Sequence, residues 1–98
     1  MTGVFDKTFD NLENAMRVAS AKQAVTNQNI ANSKTPGYEA LEFSEELNKA
    51  VKRKDNPRVI LEEEMDSLSK NSVDYTSYVK LMTQKLNILK TIASQGRK

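Results

Sequence analysis

Hydrophobic residues recur along the first third of the chain at intervals of four and three: Phe5, Phe9, Leu12, Met16 and Ala19, continuing through Gln23, Thr26 and Ile30. This is the a/d seam of a heptad repeat, apolar at its start and polar toward its end. Ala15, Ala21, Ala24 and Val25 widen the face, while Asp6, Lys7, Asp10, Glu13, Arg17 and Lys22 fill the positions between. The pattern predicts a helix over residues 4–32, about 40 Å long at 1.5 Å per residue.

The last third carries the same rhythm for longer: Leu61, Met65, Leu68, Ser72, Tyr75, Val79, Met82, Leu86, Leu89 and Ala93. It predicts a second helix over 61–96. Glu62, Glu63 and Glu64 suit its positive N-terminal pole, and Gly96 followed by Arg97 and Lys98 suits its end. Leu81, Ile88 and Ile92 broaden the apolar face beyond what one seam needs. Spacing alone leaves two readings open, a hairpin of helices that packs only on itself and one that also faces other chains. The extra width points to the second.

Between the helices, Phe43, Leu47 and Val51 are spaced by four with Ala50 alongside, which predicts a short helix near 44–53. Lys52 to Pro57 reads as a solvated loop ended by proline, and Arg58 to Ile60 as briefly extended. The expected fold class is all-α. Two long terminal helices pair as an antiparallel coiled-coil-like hairpin, joined over residues 33–60 by a TPGY turn, a short helix and a loop. All of residues 1–98 form one small domain.

The exit from the first helix is the most informative stretch. It reads NIANSKTPGY, from Asn29 to Tyr38. Asn32 tolerates the left-handed conformation that ends helices. Thr35-Pro36-Gly37-Tyr38 has proline and glycine in the order of a type II turn: proline presets its own φ, and glycine accepts the positive φ that follows. Thr35, preceding proline, is pushed out of the helical region. The segment is therefore a rigid exit, and Tyr38 supplies an amphipathic ring to anchor against a neighbour.

Composition narrows the chemistry. Leu, Ile, Val and Phe together number 22 of 98 residues, just above the range in which a chain fails to bury enough apolar surface to fold. With a net charge of +2, self-repulsion does not enforce disorder, but a deep private core is not expected either. Cysteine and histidine are absent, which excludes disulfides, thiolate nucleophiles, zinc-finger sites and imidazole catalysis. With three glycines and no phosphate-binding loop, nothing points to an enzyme, a metal or a cofactor. Glu62, Glu63 and Glu64 read as a charged first turn rather than a cation site. Lys52, Arg53, Lys54 and Arg58 read as solvated charges rather than a nucleic-acid patch. Gln23 and Thr26 read as tolerated polar seam positions. The opening MTGVFDKTFD has neither a basic nor an apolar region of the signal-peptide kind, so no cleavable signal is expected, and no run is long enough to insert in a membrane.

The string Asn-x-Ala-Asn-x-x-Thr-Pro-Gly-Tyr, following a heptad-patterned helix, resembles the N-terminal signature of the bacterial flagellar axial proteins: rod, hook and hook-associated. The matching residues are Asn29, Ala31, Asn32, Thr35, Pro36, Gly37 and Tyr38, with Asn27 and Gln28 just before them. By resemblance the short length excludes the hook and distal-rod members, and the segment from Glu62 to Arg97 resembles one of the two proximal-rod paralogues more than the other. The features that carry this are Glu64-Met65, a mid-helix Tyr75 or Tyr78, and Lys85-Leu86-Asn87-Ile88-Leu89-Lys90 followed by Ile92. The middle, over residues 40–60, is shorter than in that family.

The resemblance implies a structural subunit without catalysis, stacked helically around a channel in the periplasm-spanning rod of the basal body. Its partners would be copies of itself, other rod subunits, the adaptors between rod and membrane rings, and the export apparatus. Export would proceed without signal cleavage, with termini that order on assembly. Helix packing and assembly would fall to Phe5, Phe9, Leu12, Met16, Ala19, Met65, Leu68, Tyr75, Val79, Met82, Leu86 and Leu89. From a different class, the residues also admit a small helical adaptor or nucleic-acid-binding module. A recognition helix would cluster its cations on one face, and Lys80, Lys85 and Lys90 are instead spread among apolar residues.

Overall fold

The computed structural model describes residues 3–96, with side chains from Lys7 to Gln95. Phe5 lies in the first helix, but its side chain falls outside that range, as do Arg97 and Lys98. Helix α1 spans Gly3–Ala31 and helix α2 spans Leu61–Gly96. They run antiparallel. Asn29 meets Glu64 near one end, Asn71 donates to the Ala19 carbonyl at 2.6 Å in the middle, and Phe9 and Met16 face Met82 and Leu86 near the other end. The result is elongated, 66 × 24 × 16 Å.

The region between the helices corrects the all-α expectation. In place of a short helix at 44–53 there is an antiparallel hairpin of β1 (Leu41–Ser44) and β2 (Lys49–Lys52), with Leu41 opposite Lys52 and Ser44 opposite Lys49. The four-residue turn between them is closed by Leu47 N–H donating to Ser44 Oγ, and Asn48 sits in the left-handed region at φ 54°. A helix cannot pass through such a residue, whereas a hairpin turn needs one. The spacing of Phe43, Leu47 and Val51 has a different origin: Phe43 and Val51 belong to opposite strands, and Leu47 stands 60% exposed on the turn.

The exit turn shows the Thr35 carbonyl accepting from Tyr38 N–H at 3.2 Å, with Gly37 at φ 77°. Those are the hydrogen bond and the positive φ of a type II turn. Asn32 does not take the left-handed conformation. Helix α1 instead tightens at its end, with Ser33 N–H reaching the Ile30 carbonyl and Thr35 N–H the Asn32 carbonyl.

Little of this is buried apolar surface. Among the described residues the buried hydrophobics are Val18, Ala19, Val25 and Ala40. Phe9, Leu12 and Met16 on α1 are half-buried, as are Leu68, Tyr75, Met82 and Leu89 on α2. Met65, Val79 and Leu86 are instead exposed by 55%, 38% and 47%. The side of α2 that meets α1 uses Asn71, Tyr78 and Lys85, all half-buried, where the heptad reading placed Val79 and Leu86. The seam positions Leu68, Tyr75, Met82 and Leu89 stay half-covered while Met65, Val79 and Leu86 do not, so the stripe is only partly covered.

Candidate functional site

Among the described residues, the largest fully buried side chain is polar. Asn29, at 1% exposure, sits four residues beyond Val25 on the inner face of α1, where the seam has turned polar. All four hydrogen-bonding positions of its amide are occupied. Its Nδ2 donates to the Leu41 carbonyl at 2.9 Å and to Glu64 Oε1 at 2.7 Å. Its Oδ1 accepts from Leu41 N–H and from the Tyr38 hydroxyl, both at 2.9 Å. A carboxamide presents the same donor and acceptor as a peptide unit. Asn29 thus pairs with the outer edge of β1 at Leu41 as a third strand would, and so docks the hairpin on α1.

Glu64 closes the other side. It lies in the first turn of α2, is 3% exposed, and accepts from Arg53 Nη2 at 2.9 and 3.2 Å as well as from Asn29. The Arg53–Glu64 pair is the one salt bridge among those described that is buried, with side-chain exposures of 21% and 4%. This corrects two expectations. Glu64 is more than a solvated first-turn charge, and Arg53 is a pin through the base of the hairpin rather than a free loop cation. The backbone holds Arg53 in place: its N–H donates to the Ala40 carbonyl at 2.9 Å, and Ala40 N–H donates to the Pro57 carbonyl at 2.7 Å. Ala40 is fully buried. By contrast the Lys52–Glu39 and Lys22–Glu45 pairs are exposed and contribute little.

Tyr38 is held within its own chain by the bond from its hydroxyl to Asn29 Oδ1. Burial pushes its hydroxyl above the usual tyrosine range and the Glu64 carboxylate pushes the same way, with Arg53 opposing. A phenol whose folded value is raised gives up its proton first in the unfolded chain. Its contribution is therefore complete below about pH 10 and is lost as pH rises through the folded value. Tyr38→Phe is expected to cost about 1 kcal/mol at neutral pH and to flatten this alkaline loss. Urea midpoints of both proteins at neutral pH and above pH ~10 measure it; parallel alkaline limbs would refute it.

Of the motif residues, the structure gathers Asn29 and Tyr38 into this node, with Gly37 shaping the turn that delivers Tyr38. Asn32 stays local: its Nδ2 donates to the Gln28 carbonyl and its Oδ1 accepts from Thr35 Oγ1. Ala31, Thr35 and Pro36 are exposed. Arg53 and Asn71 had no signal in the sequence, since one sits in a run of charges and the other off the heptad positions. The node holds charges in mutual neutralisation, with no buried side-chain polar atom unpaired among those described. That arrangement holds the hairpin and the two helices in register.

The second notable surface is apolar. Leu61, Met65, Val73, Val79, Leu81, Leu86, Ile88 and Ile92 of α2 are each 38% exposed or more. At the free end, Phe9, Met16, Met82 and Leu86 line an open groove between the helices.

No family model matches this chain, and no solved structure does. Among curated proteins it is similar to the flagellar basal body rod protein FlgB of Bacillus subtilis (strain 168). The two are 28% identical over 127 aligned positions, which take in 96% of this chain and 98% of that protein. An alignment of 127 positions against a chain of 98 residues leaves at least 29 without a counterpart here. The resemblance is to FlgB-family flagellar basal body rod proteins and extends over nearly the whole chain.

Proposed function

We propose that this chain is a FlgB-type structural subunit of the proximal rod, assembling helically with copies of itself and other rod proteins into the hollow shaft that transmits torque. The observation that carries this is the imbalance on α2. Among the described residues, eight large apolar side chains lie exposed along a helix whose own chain buries very little. Apolar area of this kind is stabilised at about 25 cal/mol per Å² once covered. Repeated head-to-tail contacts that do not close into a ring extend as a filament. The polar node fixes the subunit's shape and leaves the stripe for neighbours. On this reading the partners are the rod subunits, the adaptors joining rod to membrane rings and the export apparatus, and the protein reaches the basal body without signal cleavage. The rod paralogue FlgC is the alternative within the family.

A nucleic-acid module is disfavoured by geometry. At 3.6 residues per turn, Lys80, Lys85 and Lys90 step around α2 by about 140° each and share no face. Lys85 is half-buried toward α1.

Deletion of the gene in the bacterium that encodes it is expected to abolish swimming, and re-expression to restore it, with the chain present in purified basal bodies. Ile88→Glu with Ile92→Glu should fold with unchanged far-UV circular dichroism yet fail to restore motility. Normal swimming without the gene, or basal bodies lacking the chain, would overturn the reading.

A further inference from the structure

Leu61, Met65, Val79 and Leu86 fall within about 60° of arc on α2 at 3.6 residues per turn. They lie on the flank away from the β-hairpin, whose cleft is lined from α2 by Ser67, Lys70, Asn71 and Asp74. Their exposures run from 38% to 55%, and their separations of 4, 14 and 7 residues follow the heptad. A row with that period is covered best by another helix with the same period. The outward face of α1 does not qualify, since it presents Asp10, Glu13 and Arg17. The outward face of α2 does.

Charge then selects the direction. The first half of α2 carries Glu62, Glu63, Asp66 and Asp74 against Lys70, and the second half carries Lys80, Lys85 and Lys90 with no acid. Two copies side by side in parallel would set like against like, whereas antiparallel copies set acid against base. An antiparallel register that places Met65 opposite Leu86 also places Ser72 opposite Val79. It brings Glu62 beside Lys90, whose alkyl stem covers Leu61.

We propose that the stripe is covered in solution by α2 of a second copy of this chain, running antiparallel about a two-fold axis near Thr76. Such a pair is closed: each copy uses the stripe once, and the contact cannot propagate. It is a soluble form that masks the stripe and is distinct from any filament contact. The inference stands on the surface of α2 alone and not on the rod assignment.

Because the chain has no cysteine, single substitutions report cleanly. Thr76→Cys is expected to form a disulfide-linked dimer under mild oxidation. Met65→Cys and Leu86→Cys should each still pair but form no disulfide alone, and should cross-link when mixed. Light scattering should give twice the 11.0 kDa of one chain. Glu62→Lys and Lys90→Glu should each weaken the pair several-fold, and the double variant should restore it; these are exposed positions, so folding is not at stake. A monomer at every concentration overturns the proposal, as does self-cross-linking of Met65→Cys equal to that of Thr76→Cys, which means a parallel pair. A chain that pairs this way but never enters basal bodies sinks the rod reading alone, and a monomer found in basal bodies sinks only this one.

Discussion

Asn29→Ala is expected to remove about 4 kcal/mol of stability, a large share of the roughly 5–15 kcal/mol typical of a small domain. The side chain is small and its apolar content negligible, so lost packing is a minor part. What is lost is a partner for four groups at once: Leu41 N–H, the Leu41 carbonyl, the Tyr38 hydroxyl and Glu64 Oε1. Each buried group left unpaired costs about 1–3 kcal/mol, reduced where water can enter from the half-buried Tyr38 side. Asn29→Asp keeps the shape but gives up both donors and sets a carboxylate against Glu64, so it should be no better than alanine. Asn32→Ala is the control from the same motif. Its bonds stay within the end of α1 at a half-buried position, and a loss of under about 1 kcal/mol is expected. Urea denaturation followed by far-UV circular dichroism ranks the three. Equal costs at Asn29 and Asn32 would mean that the node does not hold the fold together.

Arg53→Met is expected to cost about 3 kcal/mol, because it strands the Glu64 carboxylate, 4% exposed, without its cation. Removing one partner of a buried pair is far worse than removing both charges, since the penalty is that of an uncompensated ion. Adding Glu64→Gln should therefore recover more than half of the loss: the amide oxygen still accepts from Asn29, and no buried charge remains. The second substitution is stabilising only in the background of the first, and a double-mutant cycle reads that sign directly. If the two losses simply add, the Arg53 guanidinium and the Glu64 carboxylate do not act as a pair.

These two predictions concern residues that the chain's pattern placed in different categories. Asn29 belonged to a turn motif, Glu64 to a helix's acidic first turn and Arg53 to a run of loop cations. Their meeting across 11, 24 and 35 positions of sequence is a product of the hairpin, and the hairpin was the element read as a helix. Phe43, Leu47 and Val51 imitate helical spacing because a four-residue turn separates two short strands. Only Asn48 at φ 54° breaks the imitation, and asparagine is compatible with both states.

The sequence by itself determined the two helices, since a 4-3 apolar rhythm sustained over many turns is a local property that no other backbone period satisfies. It also determined the exit turn, where proline and glycine restrict φ whatever surrounds them. Which line of each helix faces the other was a tertiary decision. Asn71 reaching the Ala19 carbonyl, Tyr78 and the Asn29–Glu64–Arg53 node set the rotation of α2, and with it how much of the apolar stripe stays open. Hydrogen bonds between distant residues depend on geometry that periodicity does not encode, so the fold was legible from the pattern and the exposed surface was not.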